Sequence, residues 1–180
     1  MADGSYDWYK DELNRRISMP LAHSFVVTGD IFFASHTWTA VSSLATVGFV
    51  IETGADRPHG LFSINFGTSG DYRFYEMNAH AIASHSGCTI PGTALTVYNQ
   101  NRDSDHASTT TCYYDPTVGN LSDDILEYGN AGGYDTHSAS IAEGNISGYW
   151  NLKSSTTYIV WVKNTSISTG TFSVQFNWYE

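Results

Sequence analysis

The sequence predicts an all-β fold, an antiparallel β-sandwich or jelly roll of about 8–10 strands, and three observations carry that expectation. The stretch 171–178 alternates strictly, with Phe172, Val174, Phe176 and Trp178 on one side and Ser173, Gln175 and Asn177 on the other, the pattern of a half-buried strand. Aromatic residues make up 14% of the chain and charged residues another 14%, a balance that favours aromatic-rich sheets over long solvated helices. Short strand-like runs recur along the chain without intervening helical periodicity, which argues against a parallel α/β sheet.

Taken in order, residues 5–18 are the one helix candidate, because Tyr9, Leu13 and Ile17 fall at four-residue spacing with Asp7 or Asp11 near the start. Pro20 separates this segment from the rest of the chain, so residues 1–20 read as an amino-terminal arm and 21–180 as the sandwich domain. Val26 and Val27 end one run, Ile31 to Trp38 form a second, and Val47, Phe49 and Ile51 alternate in a third closed by Gly54. Phe62, Ile64 and Phe66 alternate in a fourth. The turn Thr68-Ser69-Gly70 then leads into Tyr72, Phe74 and Glu76, with Arg73, Tyr75 and Met77 opposite, and the two runs together read as a hairpin. Leu95 to Tyr98 and Thr109 to Tyr114 flank a polar loop. Residues 115–148, rich in Gly, Asn, Ser and Asp, read as one long surface excursion. Tyr158, Val160 and Val162 form the penultimate strand, and the terminal strand is expected in the middle of a sheet, with Trp38, Trp161 and Trp178 in the core or an interface.

A chain of 180 residues reads as one domain with a core of its own. Its formal net charge of −10, from 18 Asp and Glu against 8 Lys and Arg, argues against nucleic acid as a partner. No run approaches the roughly 18 apolar residues of a membrane span, and the first residues lack the basic and apolar regions of a secretory signal. The expectation is therefore a protein made in a cytosol, without a membrane partner. In a reducing compartment Cys88 and Cys112 are expected as thiols rather than a disulfide. The sequons at Asn120, Asn145 and Asn164 are then expected to serve turns rather than glycosylation.

Chemistry-bearing motifs are incomplete. His85 stands between Ser84 and Ser86 and near Cys88, but adjacent residues on an extended strand point to opposite faces, and a catalytic triad is assembled in space. Gly67-Thr68-Ser69-Gly70-Asp71 misses the nucleophile elbow because position 71 is not glycine. His85 and Cys88, with Cys112 or His80, have part of a zinc spacing and lack a second matching pair. Asn99, Asn101, Asp103 and Asp105 alternate as calcium-binding oxygens could, yet without the bidentate Glu or turn Gly of a calcium loop. No catalytic residue, metal site or cofactor is assigned. Within 115–148, Tyr128, Tyr134 and His137 are the candidates for an exposed contact loop.

The order of short motifs resembles a family of tailed-bacteriophage virion proteins. These are Ile31-Phe32-Phe33-Ala34-Ser35-His36, Glu52-Thr53-Gly54-Ala55 to His59, Phe74-Tyr75-Glu76, Gly92 to Asn99 with Asn101-Arg102, Leu152-Lys153 to Thr157-Tyr158, and Trp178-Tyr179-Glu180. The resemblance spans roughly residues 20–180, with the glycine-rich stretch before the last two strands interrupted by Tyr134 to His137. It implies a jelly-roll head decoration (cement) or small head-fibre protein, trimeric and attached outside a capsid shell. The expected partner is the major capsid protein together with further copies of this chain. On that reading the arm docks on the shell through Trp8, Tyr9, Lys10, Leu13, Arg15, Arg16 and Ile17. The rival expectation is a head-fibre, tail-fibre or collar module whose 115–148 segment binds a host-surface glycan or receptor.

Overall fold

A computed structural model describes residues 6–10, 16–20, 28–77, 91–117, 125–131, 142–145 and 150–180. Two antiparallel sheets pack face to face as a sandwich, and a separate hairpin stands at the amino-terminal end of the chain. The strands are β1 (Tyr6–Lys10), β2 (Arg16–Pro20), β3 (Ile31–Val41), β4 (Thr46–Glu52), β5 (His59–Phe66), β6 (Gly70–Met77), β7 (Thr93–Ala94), β8 (Tyr98–Asn99), β9 (Thr111–Tyr114), β10 (Ile125–Ala131), β11 (Ala142–Asn145), β12 (Trp150–Asn151), β13 (Thr157–Asn164) and β14 (Gly170–Tyr179). One sheet runs β10-β6-β13-β4-β9-β7. The other runs β11-β5-β14-β3-β8, with β12 also paired to β5.

The terminal strand lies mid-sheet as its alternation predicts: β14 is hydrogen-bonded to β3 on one side and β5 on the other. Phe172, Val174, Phe176 and Trp178 are buried and face the other sheet. They meet Phe32, Phe49, Phe62, Phe66, Phe74, Tyr158 and Val160, so the core is an aromatic layer between sheets. Ring pairs cross it directly, with Phe62 and Phe74 at 4.8 Å and Phe66 and Tyr72 at 6.3 Å between centroids. Gly60 makes room for one of these rings: a Cβ there would lie 2.1 Å from the Phe176 ring. Trp38 and Trp178 are buried in this layer, whereas Trp161 is partly exposed on the opposite face of β13. Part of that face is buried too, at Val50, Tyr75, Met77 and Ile159, while Arg73 and Lys163 on the same side of β6 and β13 are exposed.

Three expectations need correction. The helix expected over 5–18 is corrected by its described residues, which are strands: β1 and β2 pair antiparallel, with Tyr9 opposite Ile17 and Lys10 opposite Arg16. The four-residue spacing of Tyr9, Leu13 and Ile17 matches a helix, but Tyr6, Trp8, Tyr9 and Ile17 are strand formers, and a 14-residue isolated helix is marginal in water. The Phe62 and Phe74 runs are not a hairpin. β5 and β6 lie in different sheets, joined by an arch at 67–69, because alternation says which face of a strand is buried and not which neighbour it takes. Nor is 115–148 one excursion, since β10 pairs with β6 and β11 with β5, each at the edge of its sheet. In addition, the run Leu95 to Tyr98 is divided, with β7 ahead of it and β8 at its end. Val26 and Val27 lie outside the described residues.

One polar side chain holds the loops at the arch end. Asn164, fully buried, donates from Nδ2 to the carbonyls of Val41 (2.9 Å), Ser42 (3.2 Å) and Ser168 (2.8 Å). Its Oδ1 accepts from the Ser166 backbone N–H (2.9 Å), from Ser166 Oγ (2.7 Å) and, more distantly, from Thr68 Oγ1 (3.4 Å). The end of β3, the β13–β14 loop and the β5–β6 arch therefore converge on one amide. Leu44, at φ +62°, is kept in this left-handed turn by its N–H donating to the Asn164 carbonyl at 3.0 Å. The amide at the Asn164 sequon thus serves a turn.

Asn164→Ala removes the donor from the buried Val41 carbonyl and from the part-buried Ser42 and Ser168 carbonyls, and a buried carbonyl left unpaired costs roughly 1–3 kcal/mol. Thermal unfolding should fall by roughly 6–12 °C for a chain of this size. Asn164→Asp should fall at least as far, because it turns a charge toward the same carbonyls. A melting temperature within a degree or two of the parent for both variants would contradict this role.

Candidate interaction surface

Of the residues expected to dock the arm, Trp8, Tyr9 and Lys10 belong to β1 and Arg16 and Ile17 to β2; Leu13 and Arg15 lie outside the described residues. The hairpin's backbone pairing is internal, and neither sandwich sheet includes it. Of the expected contact loop, Tyr128 stands on edge strand β10 rather than on a loop, and Tyr134 and His137 lie outside the described residues. Tyr128 is 56% exposed, with the Arg73 guanidinium 5.7 Å from its ring centroid, a cation–π contact across the β10–β6 pair.

Among the described residues, the outer side of the β5-β14-β3-β8 sheet presents a continuous, partly open surface. Period-two alternation places His59, Leu61, Ser63 and Asn65 of β5 there, beside Ser173, Gln175, Asn177 and Tyr179 of β14 and Ile31, Phe33, Ser35 and Thr37 of β3. In register these form rows: His59, Tyr179 and Ile31; then Leu61, Asn177, Phe33 and Tyr98; then Ser63, Gln175 and Ser35; then Asn65, Ser173 and Thr37. Apart from Asn177, the first two rows are aliphatic and aromatic, with His59 stacked on Tyr179 at 4.9 Å and Phe33 on Tyr98 at 5.3 Å. The other two carry only amides and hydroxyls. Sequence reasoning assigns no role to this face, because a polar strand face reads simply as solvated. What marks it is the absence of charge from all three central strands, and that emerges only when the register sets the strands side by side.

Three histidine environments differ. His36 faces inward at the border between sheets, stacked on Tyr114 at 3.8 Å and edge-on to Trp38 at 4.7 Å. Trp38 Nε1 donates to Asp115 Oδ1 at 2.6 Å. Burial lowers the His36 pKa from its ordinary 6.5, and the Asp115 carboxylate opposes that shift in part. His106 Nδ1 lies 3.0 Å from Asp30 Oδ1, in an exposed pair beside Phe32, and no hydroxyl or thiol among the described residues reaches its other nitrogen to make a triad. His59 belongs to the outer sheet face, where its ring lies on Tyr179.

The 99–105 loop uses its side chains on itself. Asn99 Nδ2 donates to the carbonyls of Gly29 (2.6 Å) and His106 (3.0 Å), while Asn99 Oδ1 and Asn101 Oδ1 accept the backbone N–H groups of Asn101 and Asp103. These are Asx turns. No cluster of three or more His, Cys, Asp or Glu suited to a metal occurs among the described residues. Cys112 is a buried thiol whose pKa burial pushes up, with Glu180 adding to the effect. Cys88, His80, Ser84, His85 and Ser86 lie outside the described residues. No helix among the described residues is long and apolar enough to cross a membrane.

The depressed pKa of His36 has a defined sign. The unfolded chain binds this proton more readily than the folded one, so the stability associated with neutral His36 is present above about pH 6.5 and is lost as pH falls below it. Urea midpoints measured from pH 7.5 to 5 should therefore decline less steeply in His36→Gln than in the parent; parallel declines would contradict the assignment. Compared with known proteins, the chain matches no family model, and no curated protein and no solved structure matches it significantly.

Proposed function

We propose that the protein is a structural protein of a tailed-bacteriophage virion, a head decoration or small head-fibre protein that binds the outside of the capsid shell as a homotrimer. It assembles in the host cytoplasm and works by adhesion, without catalysis or a cofactor. The motif resemblance supports this reading, and its pieces fall on the sandwich in a consistent way. Ile31 to His36 begin β3, Phe74 to Glu76 lie in β6, and Trp178-Tyr179 end β14.

The observation that carries the proposal is the division of the chain into a self-paired hairpin and a sandwich whose two sheets are ordered without it. Such a hairpin can engage a partner without disturbing the core. It brings Lys10 opposite Arg16, two of only 8 cations in the chain, to a segment that also contains Trp8, Tyr9 and Ile17. A shell filled with DNA fails by opening between capsomers, and a protein straddling those joints adds buried interface. Three linked copies raise the effective concentration of each weak contact to the millimolar range or so. A jelly-roll arrangement of the sandwich strands belongs to the same proposal.

Deleting residues 1–20 should leave a β-rich, cooperatively melting protein of unchanged oligomeric state that no longer co-sediments with undecorated capsids. Undiminished co-sedimentation would rule the hairpin out as the docking element.

A further inference from the structure

We infer that the outer face of the β5-β14-β3 sheet is a binding site for an uncharged glycan, whether or not the protein resides on a virion. In a chain of net charge −10, none of the outward residues of β5, β14 or β3 is an Asp, Glu, Lys or Arg. Among the described residues a charge appears at the border of this face, with Arg102 over Tyr98 at 5.4 Å. A solvated face with no binding role has no need to exclude Lys, Asp and Glu from three adjacent strands, and a face for an anionic or cationic partner would carry the opposite charge.

The polar groups present are those that recognise sugar hydroxyls. Asn65, Gln175 and Asn177 each offer a planar amide with a donor and an acceptor, and Ser35, Ser63, Ser173 and Thr37 add hydroxyls. All three amides take part in side-chain hydrogen bonds on this face. Gln175 Nε2 donates to Asn177 Oδ1 at 2.9 Å, and Asn65 Nδ2 donates to Ser173 Oγ at 3.3 Å. The first bond leaves Gln175 Oε1, an acceptor, and Asn177 Nδ2, a donor, without an intramolecular partner among the described residues. Adjacent hydroxyls of a pyranose present the complementary pair.

The apolar rows supply the other half of the match. Asn177 stands between Leu61 and Phe33, and Tyr98 extends that row at 41% exposure. A sugar ring has an apolar C–H face and a hydroxyl rim, and so fits a boundary where aromatic carbon meets oriented amides better than it fits either alone. Four strands about 4.8 Å apart give a face about 14 Å wide, enough for a short oligosaccharide rather than a single ring.

Native affinity electrophoresis of the full chain in gels containing a neutral β-glucan, an α-mannan or a galactan, with a sulfated polysaccharide as the charged control, tests the site. At least one neutral polymer should retard the protein while the sulfated control does not. Gln175→Ala and Asn177→Ala should weaken that retardation at least tenfold while leaving the melting curve unchanged. Retardation by none of the neutral polymers, or retardation that survives both substitutions, would overturn the inference. Sedimentation of Gln175→Glu supplies an independent check: unchanged oligomeric state is expected, and a shift toward monomer would assign the face to contacts between copies instead.

Discussion

The inner face of the terminal strand is the constraint on which the remaining structure depends. Phe172, Val174, Phe176 and Trp178 are each almost completely removed from solvent, and burying a side chain of this size is worth roughly 1.5–3 kcal/mol. That surface can be buried only if a second sheet lies across it, and Phe49, Phe74, Tyr158 and Val160 provide the cover. Once β14 is central, β3 and β5 must flank it, and the outward residues of all three strands become one continuous face. The core and the candidate glycan site are therefore two sides of the same alternation.

Anchoring at both ends keeps that strand in register. At the arch end Asn164 gathers three loops through one buried amide. At the other end Trp178 Nε1 donates to Ser108 Oγ at 3.3 Å, and the Glu180 carboxylate accepts from the Thr109 N–H and from Thr110 Oγ1. A one-residue slip of β14 would break both sets and turn Phe172 and Phe176 outward into the uncharged face. The residues of the proposed glycan face sit on strands and not on loops.

Much of the architecture was legible because it is written in local period-two alternation. The buried faces of β4, β5 and β13, the central position of β14 and the core placement of Trp38 and Trp178 all come from it. Strand partners were less legible. Phe62 and Phe74 do meet, but across the sandwich rather than along a hairpin, because side-chain pattern carries no information about which sheet a neighbouring run joins. The amino-terminal spacing fitted two templates, and pairing with a second strand decided between them. Tyr128 is exposed, but it stands on edge strand β10 against the Arg73 side chain of the adjoining strand and not on a loop. The outer face was invisible for a related reason: Asn65 is far from Gln175 and Asn177 in sequence, and only sheet register makes them neighbours.

Amide hydrogen exchange resolved by residue tests most directly whether the terminal strand is the structural centre. The amides of β13 and β14 should exchange slowest in the molecule, at rates set by global unfolding, while those of the edge strands β7, β8, β10 and β11 exchange by local opening orders of magnitude faster. Protection in β14 no greater than in those edge strands would contradict the account.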